Sequence, residues 1–327
     1  MIYSALLLCF GAMFLFFQIL CVGSCLKIYK LTYKHDLLRK SEKCPEGWKP
    51  FLRPPSGKLP SLRRALFRAV FTAPLRYMCI ILAVILTTTS SAIFPLKTGL
   101  RIAKIGGGIV AYLVGVSRVR FVGDAVLAGV APLVVVNHIS WIDFIVLGAT
   151  IQFGFVMSEA VSRAPIVGSG FTRLALRVGS VILDRGEAKS REAAKGKIAQ
   201  RLESLLAVGV GERLLIFPEG TLTNGECVVP FKLGAFATLP PVQPLRLEFT
   251  NPHYSLADLG TMEGTAFFLC LDPTDMIFTW CKVVKPTSSD TPETLAQRVR
   301  EELVKGTQMK AVTCGSFRDH LALTSAS

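Results

Sequence analysis

His138 and Asp143 lie five residues apart in Asn137-His138-Ile139-Ser140-Trp141-Ile142-Asp143, directly after the apolar run Leu133-Val134-Val135-Val136. An imidazole at the end of a buried strand, with a carboxylate able to reach one ring nitrogen, has the makings of a general base. The carboxylate fixes the tautomer and leaves the other nitrogen to take a proton. No Gly-x-Ser-x-Gly elbow occurs in the chain, so the protein supplies no nucleophilic serine of that kind. The proton would then come from a hydroxyl of the substrate, which becomes the nucleophile. Ser140 is placed to cap a helix that starts near Trp141, which puts Asp143 in its first turn. Asn137 stands beside the histidine as a supporting residue. The pair alone fits a structural histidine bonded to a helix-capping aspartate equally well.

A second segment shifts that balance. Leu214-Leu215-Ile216-Phe217 reads as a buried strand that breaks at Pro218, followed by Glu219-Gly220-Thr221. Loops at the carboxyl ends of strands in α/β sheets hold ligands. Gly220 permits a backbone conformation that brings amides close to a substrate. Glu219 is expected to accept from a substrate hydroxyl or to orient an arginine. Between the two segments, Asp184-Arg185 ends another strand, and Arg185 offers paired donors for a phosphate. Lys232, in Pro230-Phe231-Lys232-Leu233-Gly234-Ala235-Phe236, is a second candidate for phosphate or coenzyme contact.

The elements that must position these residues follow from hydrophobic periodicity. From Val119 onward short apolar runs alternate with helical patterns. Strands are expected at Val119–Val122, Leu133–Val136, Phe153–Met157, Ser180–Leu183, Leu214–Phe217, Val242–Phe249 and Phe278–Val284. Helices are expected at Trp141–Ile151, Ile166–Arg177, Glu187–Val208, Leu259–Leu269 and Pro292–Lys305. This alternation predicts an α/β fold with a mixed, partly parallel sheet flanked by helices.

The N-terminal part is different. Residues 2–26 carry no charged side chain, and Lys27, Lys30 and Lys34 follow. That length can cross a bilayer, and the basic flank puts residue 27 onward in the cytosol. The expected organisation is a transmembrane signal-anchor over 1–26 and a basic, Pro-rich linker over 27–62. A membrane-associated helical region spans 63–117, with a hairpin at 77–96 suggested by Thr87-Thr88-Thr89-Ser90-Ser91 between Pro74 and Pro95. A catalytic domain spans 118–310, and a loose tail covers 311–327. The formal net charge of +14 suits an anionic partner, and the apolar N-terminus selects a phospholipid surface over nucleic acid. Nine cysteines without a CxxC pair read as reduced thiols, and the four scattered histidines do not suggest a metal site.

His138…Asp143, Asp184-Arg185, Phe217-Pro218-Glu219-Gly220-Thr221 and Pro241-Val242-Gln243-Pro244 together resemble the four ordered blocks of the glycerolipid (PlsC-type) acyltransferase family. Thr221-Leu222-Thr223-Asn224-Gly225 and Phe231-Lys232-Leu233-Gly234-Ala235-Phe236 resemble its lysophosphatidylcholine and lysophosphatidylethanolamine branch. The resemblance spans roughly residues 65–285. It implies the glycerolipid acyltransferase fold and transfer of a fatty acyl group from acyl-CoA to the free hydroxyl of a lysophospholipid. His138 would be the base and Asp143 its orienting partner. Arg185, Glu219, Gly220, Thr221 and Lys232 would bind substrate. Acyl-CoA is then a co-substrate, and no metal or other cofactor is implied. The alternatives are the same chemistry on 1-acylglycerol-3-phosphate or glycerol 3-phosphate, a coenzyme-A-independent transacylase, and an inactive membrane scaffold. The resemblance implies an integral membrane protein of the endoplasmic reticulum with the catalytic domain facing the cytosol. No nucleic acid and no obligate protein partner are implied.

Overall fold

The computed structural model describes residues 2–42, 44–151, 153–158, 172–173, 175–176, 178–183, 188–255, 257 and 259–326. Its centre is a seven-stranded sheet of order β1-β8-β7-β2-β5-β3-β4. The strands are β1 (Val116–Val122), β2 (Leu133–Val136), β3 (Gly154–Ser158), β4 (Val181–Leu183), β5 (Leu214–Ile216), β7 (Val242–Phe249) and β8 (Thr274–Trp280). β7, β2, β5, β3 and β4 run parallel, and β8 is antiparallel to β7. β1 pairs parallel with β8 at the edge. A small parallel pair, β6 (Cys227–Val228) with β9 (Lys310–Ala311), lies apart from this sheet.

The expected mixed sheet is therefore present, and its composition explains it. β2 is buried at all four positions and hydrogen-bonded on both sides, so every side chain meets a covered face. Parallel strands covered on both faces read as continuous apolar runs, as Leu133-Val134-Val135-Val136 does. β1 shows the opposite pattern: it is an edge strand and mostly exposed.

The helices are α1 (Ile2–Lys40), α2 (Leu62–Phe71), α3 (Ala73–Ile93), α4 (Leu96–Val114), α5 (Ile142–Thr150), α6 (Ala188–Val208), α7 (Thr261–Phe268), α8 (Pro292–Val304) and α9 (Phe317–Ala326). Two of them, α1 and α3, are long and apolar enough to cross a membrane by length and composition. One core cluster joins α1, α3 and α4 to one side of the sheet through Cys25, Ile28, Val114, Val134, Leu215 and Phe267. A second cluster packs α6 and α8 on the other side through Leu133, Leu202, Leu214 and Val299.

Several expectations need correction. The first helix does not stop at residue 26; it continues to Lys40 because nothing in 27–40 breaks a helix and Ile28 finds a buried partner surface. The hairpin expected within 77–96 is one unbroken helix, α3. Its Thr88 and Thr89 hydroxyls return to the Val84 and Ile85 carbonyls, which lets a polar run stay helical. The chain turns instead at Phe94-Pro95, and α4 packs back along α3. Gly106 makes this close approach possible, since a Cβ there would collide with Thr87. The membrane-associated helical region expected over 63–117 consists of α2, α3, α4 and the first residues of β1. β8 begins at Thr274, four residues before the expected Phe278. Thr274–Trp280 alternate buried and half-buried, whereas Val284 makes only an isolated bridge to Val242. The expected loose tail contains α9, anchored by the fully buried Leu323. The helix expected at Ile166–Arg177 falls largely outside the described residues.

Candidate active site

His138 leaves the sheet two residues after β2, at the carboxyl end of the parallel strands. Asn137 makes the exit sharp. Its side-chain oxygen accepts from Leu247 N–H at 2.8 Å and its amide donates to Leu247 O at 3.0 Å, so it clamps β2 to β7 as a backbone pair would.

The chain then arches into α5, and Asp143 closes the arch. Its Oδ2 accepts from Ile139 N–H and Ser140 N–H, both at 2.8 Å, and lies 3.0 Å from His138 Nδ1. Asp143 is fully buried, and its Oδ1 has no hydrogen-bond partner among the described residues. The cap expected from Ser140 is slight: Ile142 N–H points to its Oγ at 3.5 Å, and helix α5 has no side-chain cap at Trp141. The carboxylate of Asp143 has taken that role because it can serve two amides and the imidazole at once.

His138 is held on its other sides too. Its N–H donates to Glu219 Oε1 at 2.9 Å, and its carbonyl accepts from Thr223 N–H at 2.9 Å. Its ring stacks on Phe217 with centroids 4.1 Å apart and planes 22° apart. The side chain keeps 21% exposure, while Asp143 keeps none. Among the described residues no group hydrogen-bonds Nε2. An imidazole fixed at its backbone, at Nδ1 and on its face, with Nε2 open, has the geometry to accept a proton there.

Glu219, expected to meet a substrate hydroxyl or an arginine, has both carboxyl oxygens on backbone amides. Oε2 accepts from Val229 N–H at 3.1 Å, so its two oxygens bridge the His138 and Val229 amides. The residue is buried, and burial pushes its carboxyl up to about 8 against the pull of the two amides. Its chemistry is that of a brace between the two site segments. Gly220 adopts a left-handed φ of 66°, and a Cβ there would meet the Lys232 side chain. Lys232 is thus laid across Gly220, and its N–H donates to Pro218 O at 2.8 Å. Thr221 is buried, with its hydroxyl 3.5 Å from Leu222 O and from His320 Nδ1. Arg185 lies outside the described residues. The structure therefore brings together His138, Asp143, Glu219, Gly220, Thr221 and Lys232.

Residues 118–248 match the family model described as Acyltransferase. This segment is an acyltransferase-family domain. The chain is 31% identical over 154 residues to lysophospholipid acyltransferase LPEAT2 of Arabidopsis thaliana, covering 47% of this chain and 27% of that protein. It is 30% identical over 155 residues to lysophosphatidylcholine acyltransferase 2B of Mus musculus, covering 47% and 28%. The lyso-ornithine lipid O-acyltransferase of Rhodobacter capsulatus is 33% identical over 129 residues, covering 36% and 42%. The chain thus matches well under half the length of these relatives. Among solved structures, the 1-acyl-sn-glycerophosphate acyltransferase PlsC of Thermotoga maritima superposes with a TM-score of 0.51 at 19% identity, covering 75% of this chain and 95% of that one. That likeness concerns the fold alone.

Sequence reasoning missed what secures the acyltransferase domain's loop from outside. Asn224 donates to Lys49 O and Leu52 O at 2.9 and 3.0 Å, and its own N–H reaches Pro50 O. Arg39, near the end of α1, pairs with Glu226 at 2.7 Å. No periodicity or spacing links residues this far apart. The fourth block, Pro241–Pro244, leads into β7 as the expected strand does, and Gln243 lies there in register with Val134. It takes Val126 N–H and an Arg213 guanidinium N–H on Oε1, and donates to Asp124 O and Cys281 O.

A second feature adjoins α5. A cavity of about 130 Å³ lies among α3, α4, α5 and β3, lined by Thr87, Ala103, Gly107, Phe144, Gly148 and Phe155 among others. Its wall is almost wholly apolar. α5 thus carries Asp143 in its first turn and a wall of this cavity further along.

Proposed function

We propose that this chain transfers a fatty acyl group from acyl-CoA to the free hydroxyl of a lysophospholipid. The observation that carries the reading is His138, held rigidly at Nδ1 by a buried carboxylate with Nε2 open beside the Gly220 loop. In the proposed step Nε2 takes the proton of the acceptor hydroxyl as the oxygen attacks the thioester carbonyl. The tetrahedral intermediate collapses with expulsion of the coenzyme thiolate, which the imidazolium can protonate. Asp143 keeps the tautomer and compensates the imidazolium charge. Gly220, Thr221, Lys232 and Arg185 form the proposed contact with the acceptor's glycerol-phosphate part, and Glu219 holds their loop. The apolar cavity beside α5 suits an acyl chain. No metal or prosthetic group takes part in this scheme.

The lysophospholipid acceptor draws support from the relatives, whose names specify lysophospholipid, lysophosphatidylcholine and lyso-ornithine lipid acyltransferases. Membrane residence draws support from α1 and α3. In the proposed arrangement α1 anchors the protein in the endoplasmic reticulum and residues 118–310 carry out catalysis on the cytosolic side. Lys49–Leu52, Arg39 and α9 touch the Glu219–Glu226 loop, so the working unit extends past both ends of 118–310.

Membranes containing wild type or His138→Ala, given labelled oleoyl-CoA with lysophospholipids of several head groups, lysophosphatidic acid and glycerol 3-phosphate, test this. Wild type is expected to label a lysophospholipid, and the variant none. Labelling of lysophosphatidic acid or glycerol 3-phosphate alone would replace the acceptor. Absence of labelling from acyl-CoA in both proteins would overturn the donor.

A further inference from the structure

The C-terminal helix α9 reaches the same loop from a part of the chain that the family match does not include. His320 lies with Nδ1 3.5 Å from Thr221 Oγ1, and its ring stacks on Phe51 with centroids 5.3 Å apart and planes 21° apart. Leu323, one turn further on, is fully buried with Phe51, Leu52, Val229 and Ala257. Val229 is the residue whose amide holds Glu219, and Glu219 in turn holds the His138 amide. Gly47 and Gly315 allow the close fit. A Cβ at Gly47 would meet the Asp319 carboxylate, and one at Gly315 would meet Val229 and Pro50. Two segments distant in sequence therefore converge on the loop at 219–229: the turn at Glu46–Phe51 and α9.

A helix that only covered apolar surface would need Leu323 and its neighbours. It would not need a ring nitrogen aimed at a buried hydroxyl of the Glu219-Gly220-Thr221 turn. Thr221 is 8% exposed, and among the described residues its hydroxyl meets Leu222 O and His320 Nδ1, both at 3.5 Å. The imidazole supplies the side-chain partner while its face stays on Phe51.

We propose that His320 is a positioning residue: through Thr221 it sets the Gly220–Thr221 backbone against which the lysophospholipid's phosphate rests. This rests on the acyl-transfer reading above, and it assigns part of the acceptor site to α9. His320 touches neither reacting atom, so its removal weakens acceptor binding rather than the proton transfer at His138.

The test uses the full chain in nanodiscs and two variants with opposite losses. His320→Phe keeps a ring on Phe51 and removes the nitrogen. His320→Asn keeps a polar atom near the position of Nδ1 and removes the ring. Two readouts are taken: hydrogen exchange of amides across 217–229 and across 317–326, and steady-state KM values for lysophospholipid and for oleoyl-CoA. Loss of one net hydrogen bond corresponds to about a three- to tenfold effect. His320→Phe is expected to raise the lysophospholipid KM by about that factor, leave the oleoyl-CoA KM unchanged, and speed exchange at 217–229 but not at 317–326. His320→Asn is expected to recover most of both effects. A His320→Phe protein with wild-type exchange at 217–229 and wild-type KM overturns the proposal. So does faster exchange across 317–326 in both variants with no split between the two KM values, which marks a helix that merely packs. If wild type acylates no lysophospholipid, the reaction assignment falls, and the exchange at 217–229 alone decides whether His320 holds the turn.

Discussion

The two ends of the parallel strands hold two buried polar clusters of opposite character. At the amino end, Gln243 has every side-chain hydrogen-bonding group in use. Arg213 is stacked 4.7 Å over Trp280, and burial pulls its guanidinium down to about 10. At the carboxyl end, His138 is fixed everywhere except Nε2, and Asp143 Oδ1 is buried without a hydrogen-bond partner among the described residues. Both clusters use buried charge and amide groups to tie distant segments together. Among the described residues of the two, only the carboxyl-end cluster holds a buried side-chain atom without a hydrogen-bond partner. Buried polar groups are normally satisfied, so an unsatisfied one in a rigid frame is where a ligand has something to gain. The comparison separates a scaffold cluster from a working one without reference to sequence blocks.

It can be broken most directly at His138. His138→Ala is expected to lower acyl transfer by about 10²–10⁴-fold, the range for losing a general base. The melting temperature should move little, because the backbone bonds to Glu219 and Thr223 survive. A large loss of stability together with the activity would make the carboxyl-end cluster structural as well. At the opposite end, Gln243→Leu leaves Arg213 and the Val126 amide buried and short of a partner. A stability loss of about 2–4 kcal/mol is expected in detergent, followed by tryptophan fluorescence, with turnover per folded molecule unchanged. Reduced turnover at full folding would show that the fourth block serves the reaction after all.

Glu219 sharpens the contrast, since it belongs to the working end yet behaves as scaffold. Its folded carboxyl titrates near 8, above the usual 4.5. A raised acid favours the protonated fold, so this contribution is complete below about 4.5 and is lost as pH rises toward and through 8. Glu219→Gln cannot titrate. The unfolding free energy of wild type relative to that variant should therefore fall as pH rises from about 4.5 to about 8, by up to about 1.4 kcal/mol per pH unit. Parallel curves would mean that the brace is ionised throughout. The smallest expected effect concerns the cavity. Gly148 lines it and has open space around its would-be Cβ, so Gly148→Leu can fill it without touching backbone. Preference should shift toward shorter acyl chains by about three- to fourfold for each methylene excluded, read from competition between two acyl-CoA lengths. An unchanged preference would separate the cavity from the donor.

Much of this was legible in advance, for reasons that can be named. β2 and β5 were readable because a central parallel strand must be apolar on both faces, and Leu133–Val136 and Leu214–Phe217 are short apolar runs that stop at Asn137 and Pro218. His138 and Asp143 were readable because five residues are enough for an arch from a strand end into a first helical turn. β8 was misplaced because a half-buried strand with Thr274, Asp275 and Thr279 in it looks less like a strand than Val283-Val284 does. Glu219 was expected to meet substrate or an arginine because a glutamate in a glycine turn suggests a ligand. Only the fold shows that two amides, from His138 and Val229, point at it.

The sequence by itself determined the mixed sheet, the membrane-length apolar first helix and the spacing that lets Asp143 reach His138, since these depend on local pattern and short spacing. Tertiary structure alone decided which groups are satisfied. The brace from Glu219 to Val229, the ties from Lys49–Leu52 to Asn224, the Arg39–Glu226 pair and the approach of His320 to Thr221 include contacts across up to 187 positions. Such contacts exist only after helix and sheet packing has supplied the loop-closure entropy, so no local pattern can encode them.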